Sequence, residues 1–198
     1  MRDQTAAQPT LVSAVWSASE SAGFLRQALL ALAGTALLTI SAKMQVPFWP
    51  VPMTMQTFAV LVIAMAYGPR LGVATIALYL AEGAAGLPVF AGTPATGIGL
   101  AYMAGPTGGY LAGFLVSGYV VGLLARRGWD RNLFSGLAAM LIGTALIFAC
   151  GFAWLSTLIG PSAAFSAGVL PFLPGAALKI ALAAALLAAS WHFLKRRA

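Results

Sequence analysis

The sequence predicts an all-α integral membrane protein of six transmembrane helices, and three observations carry that expectation. The 198 residues are 61% hydrophobic and 8% charged, with a mean hydropathy of +0.91, whereas soluble domains carry about 25% charged residues. Six apolar segments alternate with Gly- and Pro-rich or charged connections. The basic residues gather at every second connection, the asymmetry that orients a chain in a bilayer.

Residues 1–22 are mixed polar and small, with Arg2, Asp3 and Glu20, and lack the apolar core of a signal peptide. They read as a cytoplasmic tail or a short surface helix ahead of a single membrane domain, residues 23–198. The first span is expected over 23–44, which meets the roughly 20 residues a bilayer core requires. Its Ala31, Thr35 and Thr39 form a small-residue stripe where another helix can approach. The segment Lys43–Phe58, KMQVPFWPVPMTMQTF, must leave the helix, because Pro47, Pro50 and Pro52 lack N–H donors and push their predecessors towards extended backbone.

The second span, 53–67, is short, so part of this proline loop dips into the membrane. Gly68 and Pro69 make a tight turn into the third span, 70–86. The uncharged stretch Leu87–Pro106 is expected to fold as an irregular element against the proline loop. The fourth span, 107–125, repeats small residues at Gly109, Gly113 and Ser117. A charged turn with Arg126, Arg127, Asp130 and Arg131 leads to the fifth span, 132–158, whose length implies tilt. A third uncharged loop, Gly160–Leu173, precedes the sixth span, 175–194, and the chain closes on Lys195, Arg196 and Arg197.

Connections after spans two and four hold arginines, as do both chain ends, and the loops after spans one, three and five hold no charge. The positive-inside rule therefore places both termini in the cytoplasm and the three uncharged loops on the outer face of the cytoplasmic (inner) membrane. The net charge of +7 sits at segment ends, which suits anionic lipid headgroups and not nucleic acid. Cys150 is the lone cysteine and His192 the lone histidine, so neither a disulfide framework nor a metal site is available. His192 reads as an interface residue. There is no carboxylate pair for acid–base work and no P-loop, and no cofactor is implied.

Three ionisable residues remain in or at the outer edge of spans: Lys43, Glu82 and Lys179. A charge inside a membrane costs about 2.5–3.5 kcal/mol on insertion scales, which makes each a functional candidate. Lys179, flanked by Ala177, Leu178 and Ile180, leads. Lys43 either snorkels to the interface or meets a ligand. Glu82 is either a counter-ion of Lys179 or a ligand contact. Two ammonium groups against one carboxylate leave one surplus positive charge, which a monoanionic ligand neutralises. Phe48, Trp49, Tyr79, Phe90, Tyr102 and Tyr110 lie towards the same face, so a small amphipathic acid with an apolar body fits. Each aromatic alone reads as packing or interfacial belt before ligand contact, and their convergence with the lysines is what points to a ligand.

The segments QVPFWPVPMTMQTFAVL (45–61), GLPVFAG (86–92), GPTGGYLAGF (105–114) and PFLPG with Lys179 (from Pro171) occur in this order. Together they resemble the BioY family, the biotin-specific S components of energy-coupling factor transporters. The resemblance implies a six-helix S-component-like bundle that captures biotin from outside with high affinity and is not an enzyme. It also implies a transmembrane coupling protein and two cytoplasmic ATPases as partners. A solitary biotin facilitator is the alternative within transport, and a membrane enzyme acting on a lipid or vitamin precursor is the alternative from another class. Gln56 and Lys179 match positions of the family's binding motifs. Two departures stand out: Ala176 replaces the acid usual one turn before the lysine, and Thr93, Pro94, Ala95 and Thr96 replace a glycine-rich stretch. Glu82 is the expected substitute for the missing acid.

Overall fold

The computed structural model describes residues 9–15, 23–46 and 49–197, the side chains of 195–197 excepted. It is helical almost throughout, in the order α1 Leu11–Val15, α2 Gly23–Lys43, α3 Gln56–Ala84, α4 Gly99–Met103, α5 Gly108–Arg126, α6 Leu133–Ile159, α7 Pro161–Gly168 and α8 Leu173–Arg197. Five stretches are long and apolar enough to cross a membrane. One of them, α3, is two rods. Along a straight helix Gln56 and Tyr79 would stand roughly 35 Å apart at 1.5 Å per residue, yet Gln56 Nε2 lies 2.7 Å from the Tyr79 hydroxyl.

The reversal happens at Gly68, whose φ of 79° and ψ of −179° break the helix. Glycine adopts that positive φ without steric penalty, and Pro69 then presets the helical φ of the next rod. Residues 56–67 and 69–84 therefore run antiparallel, so closely that a Cβ on Gly72 would fall 3.1 Å from the Ala64 backbone. Among the described residues the bundle has six rods, with the three uncharged loops at one end and the arginine-bearing turns at the other.

Helix α5 is the central rod, and its glycines explain why. A Cβ on Gly109 would fall 2.3 Å from Trp154 Cβ, and one on Gly113 would fall 2.9 Å from Ile147 Cα, so this row lies directly on α6. Gly118 and Gly122 do the same on the opposite side, against Ile76 and the Pro69 backbone of α3. On α2, Thr35 is buried with Ala31 and Thr39 half-buried, and Gly34 packs on Thr75 of α3. Part of the first-span stripe is thus already covered within the chain. The outward face of α2 carries exposed Leu25, Leu29, Leu32 and Ile40.

Three local expectations need correction. Met53 and Thr54 are not helical but pair antiparallel with Val46 and Gln45 as strands β1 (Gln45–Val46) and β2 (Met53–Thr54). The prolines force an extended backbone there, and a two-residue ladder satisfies some of its polar groups. The loop Leu87–Pro106 contains α4. The loop Gly160–Leu173 is mostly helical, with α7 followed by a 3-10 turn at Leu170–Phe172; Pro161 and Pro171 sit in the first turn of each, where a missing N–H is harmless. His192 is exposed near the end of α8.

Candidate ligand-binding site

At the loop end, the proline segment, the 85–107 connection and the tops of α3, α5, α6 and α8 enclose a cavity. Its walls are apolar and aromatic, including Phe58, Phe114, Phe148 and Phe172, with hydroxyls from Thr54, Thr57, Thr107 and Thr144. Among the described residues, the one charged side chain on the lining is Lys179. Its ammonium donates to the Thr54 carbonyl at 2.5 Å and to Thr57 Oγ1 at 3.5 Å. An ammonium has three donors, so one N–H remains for a ligand, and the charge is met here only by neutral oxygens.

Gln56 opens α3 on the cavity wall and is buried. Its amide is oriented by a relay behind the wall. The Tyr79 hydroxyl donates its only proton to the Val89 carbonyl at 3.0 Å, so it must accept from Gln56 Nε2. This assigns the amide nitrogen to the Tyr79 side and leaves the Gln56 carbonyl oxygen on the other. Tyr79 is fully buried and does not line the cavity.

Phe90 belongs to the same supporting layer. It stacks on Tyr102 with ring centroids 5.0 Å apart and meets Tyr79 edge-on at 5.4 Å. Tyr102, in α4, does line the cavity, and burial holds its phenol above the ordinary tyrosine value, so it stays a neutral donor. Tyr110 lines the cavity from α5, and its hydroxyl donates to the Gly168 carbonyl at 2.7 Å, tying α5 to the end of α7.

Lys43 has another task. All three of its donors are engaged, to Phe90 O, Thr93 O and Thr93 Oγ1, each at 2.9 Å. It pins the 85–107 connection to the end of α2 and is absent from the cavity lining. Lys43 is itself exposed at the loop end, and its amine bonds the oxygens of the connection instead of facing the cavity. Thr93 supplies two of the three acceptors, and its hydroxyl is one that a glycine would lack.

Glu82 is half-buried on the second rod of α3 and does not line the cavity. The oxygens around Lys179 belong to Thr54 and Thr57, so the expected Glu82–Lys179 ion pair is not formed. Ala176 does line the cavity, its methyl replacing the family's usual acid. Trp49 is 80% exposed and does not line the cavity; Phe48 lies outside the described residues. Of the residues singled out from sequence, the cavity thus unites Lys179, Gln56, Tyr102 and Tyr110, with Tyr79 and Phe90 backing them. Thr57, Thr144, Phe148 and Phe172 were not foreseen. The buried Thr144, the one hydroxyl between Ser135 and Ser156 of α6, was the available signal.

The model of the BioY family matches residues 8–196. The chain belongs to the BioY family. Among its BioY relatives, a protein of Pyrococcus horikoshii named "Probable biotin transporter BioY" is 39% identical over 148 residues, covering 75% of this chain and 85% of the relative. A Thermotoga maritima protein named "Biotin transporter BioY" is 36% identical over 161 residues, covering 81% of this chain and 92% of the relative. The crystal structure of the S-component for biotin from an ECF-type ABC transporter superposes with a TM-score of 0.73 at 24% identity, covering 86% of this chain and 93% of that one. The fold is therefore that of an S-component, and this BioY-family chain is a multi-pass membrane protein.

Proposed function

We propose that the chain captures biotin at the loop end of the bundle and takes part in its uptake across the cytoplasmic membrane. The observation that carries this reading is Lys179, the single charge on an otherwise neutral, aromatic-walled cavity. Biotin is a monocarboxylate with an apolar fused ring and a ureido group. Lys179 meets the carboxylate, Gln56 and the threonine hydroxyls meet the ureido group, and the aromatic walls cover the rings. The family membership and the names of the relatives support the same ligand.

The arginine-bearing turns support an outward-facing loop end and cytoplasmic termini. The sequence has no nucleotide-hydrolysing motif, so powered uptake draws on separate subunits: a transmembrane coupling protein and two ATPases. The exposed leucine face of α2 is available to the former.

Titration of the purified chain with biotin and with biotin methyl ester tests the assignment. A charge-assisted hydrogen bond is worth about 1.5–3 kcal/mol, so the ester should bind roughly 10- to 100-fold more weakly. Equal affinity for both would remove Lys179 from the carboxylate, and no binding of biotin would remove the function. Biotin recovered unchanged after binding separates capture from enzymatic conversion.

A further inference from the structure

Among the described residues, the long rods bury the hydroxyl side chains of Thr35, Ser41, Thr75, Ser117 and Thr144. Thr35, Ser41, Thr75 and Ser117 each donate to a carbonyl three or four residues earlier in their own helix, at 3.1, 2.8, 2.8 and 3.2 Å. That back-bond is the usual way to satisfy such a group inside an apolar helix. Thr144 makes no such bond to Met140 or Leu141, and its hydroxyl has no partner among the described residues. Ser156 Oγ, farther out on α6, is also unpartnered, but Ser156 is not on the cavity lining. Thr144 is, together with Phe148 one turn along the same face of the helix.

Its depth sets it apart from the other threonines of the cavity. A Cβ on the neighbouring Gly143 would fall 2.4 Å from Leu61 Cδ2, so this part of α6 is level with Leu61 of α3. Lys179 is bonded at Thr54 and Thr57, and Thr57 precedes Leu61 by one turn, about 6 Å at 1.5 Å per residue. Thr107 stands at the loop end, just ahead of α5. Thr144 therefore lies deeper than the ammonium and than Thr54, Thr57 and Thr107.

A cation under apolar walls attracts any small amphipathic acid, the fatty acids of a bilayer included. What makes a hydrocarbon end a poor occupant of the deep part is a hydroxyl that the protein leaves unpaired. A polar group on the ligand satisfies it, whereas hydrocarbon strips its water and returns nothing. A valine would fill the same space without that demand. Resting on the reading that Lys179 holds the carboxylate of biotin, we infer that Thr144 is a specificity-determining residue. Its hydroxyl pairs with the polar far end of the ligand and excludes acids whose far end is apolar. The ureido group offers N–H donors and a carbonyl acceptor, and a hydroxyl can answer either.

Calorimetric titration of the purified full chain with biotin and with lipoate tests this. Lipoate carries the same pentanoate chain on an apolar disulfide ring and has no ureido group. The wild type should bind biotin at least about tenfold more tightly than lipoate. Thr144→Val should weaken biotin binding by about fivefold or more and leave lipoate binding unchanged or tighter, so that the ratio of the two falls. Thr144→Ser keeps the hydroxyl and should keep the ratio. The unfolding temperature of the ligand-free chain should not fall in Thr144→Val, since no bond within the protein is lost. Should that variant fail to give monodisperse, helical protein, Thr144→Ala takes its place with the same expected change in ratio. A wild type that binds no biotin would remove the proposed function and this inference with it. Equal wild-type affinity for the two acids, unchanged biotin binding in Thr144→Val, or an equal loss of both ligands would overturn the inference and leave the function standing.

Discussion

Gln56 and Tyr79 are 23 residues apart in the chain and 2.7 Å apart in space, and that contact turns a helical hairpin into a binding wall. The Gly68 reversal brings the two side chains level. The Val89 carbonyl claims the phenolic proton, which leaves the Gln56 amide only one orientation. A ligand therefore meets a preset donor and acceptor without having to order them.

Tyr79→Phe keeps the ring and removes the relay. The Gln56 N–H then loses its buried partner, at a cost of about 1–3 kcal/mol. Thermal unfolding should show the lower stability, and biotin titration should show an affinity weakened by roughly five- to tenfold as the amide becomes free to turn.

The two outer lysines should separate cleanly. Lys179→Ala removes the only charge that the described residues place on the cavity wall and should weaken biotin binding by about 100-fold, the upper end of a charge-assisted bond. Lys43→Ala releases the loop carbonyls of Phe90 and Thr93. It should lower the unfolding temperature and speed hydrogen exchange over residues 90–97, with a smaller loss of affinity. Calorimetric titration of both variants distinguishes them.

Glu82→Gln should change biotin affinity by less than about twofold, since Glu82 neither lines the cavity nor pairs with Lys179. A large loss in the same titration would show that the bound state rearranges to bring the carboxylate to Lys179.

Asp130, in the short turn Trp129–Arg131, is 1% exposed and accepts a hydrogen bond from Trp191 Nε1. Burial holds its carboxyl above the usual range, opposed by the Trp191 bond and by Arg131. A raised folded-state value means that its contribution to stability is fully present below the ordinary aspartate pKa and is lost as pH rises through the raised one. Unfolding temperatures measured from roughly pH 4 to pH 7 should fall across that window more in the wild type than in Asp130→Asn, which keeps an acceptor for Trp191 without the charge.

Much of this could be read from residues alone. The prolines at 47, 50 and 52 announced the break after the first rod, the Gly68–Pro69 pair announced the reversal, and Lys179 stood out as a charge in an apolar run. What stayed hidden depended on distant contacts. Lys43 and Lys179 look alike in sequence, and only the fold of the 85–107 connection, 47 to 50 residues from Lys43, reveals that Lys43 is fully engaged. Thr144 and Phe148 lie in a helix apolar on every side, where periodicity marks no inner face. The stretch Gly160–Leu173 reads as an uncharged loop, yet a glycine followed by a proline also suits the start of a helix, and α7 begins there.

The bare rows on both sides of α5 carry a consequence for how ligand preference can change. With Gly109 and Gly113 against α6 and Gly122 against Pro69, backbone rests on backbone, and no side chain there can be trimmed to make room. A larger or differently shaped guest must be accommodated where the scaffold is soft, in the three connections above the rods. Divergence of diet on this architecture should therefore be written in residues 51–58, 91–107 and 172–179 and in the cavity-facing Tyr110, Leu111 and Phe114 of the central rod, with the glycines of that rod left unaltered.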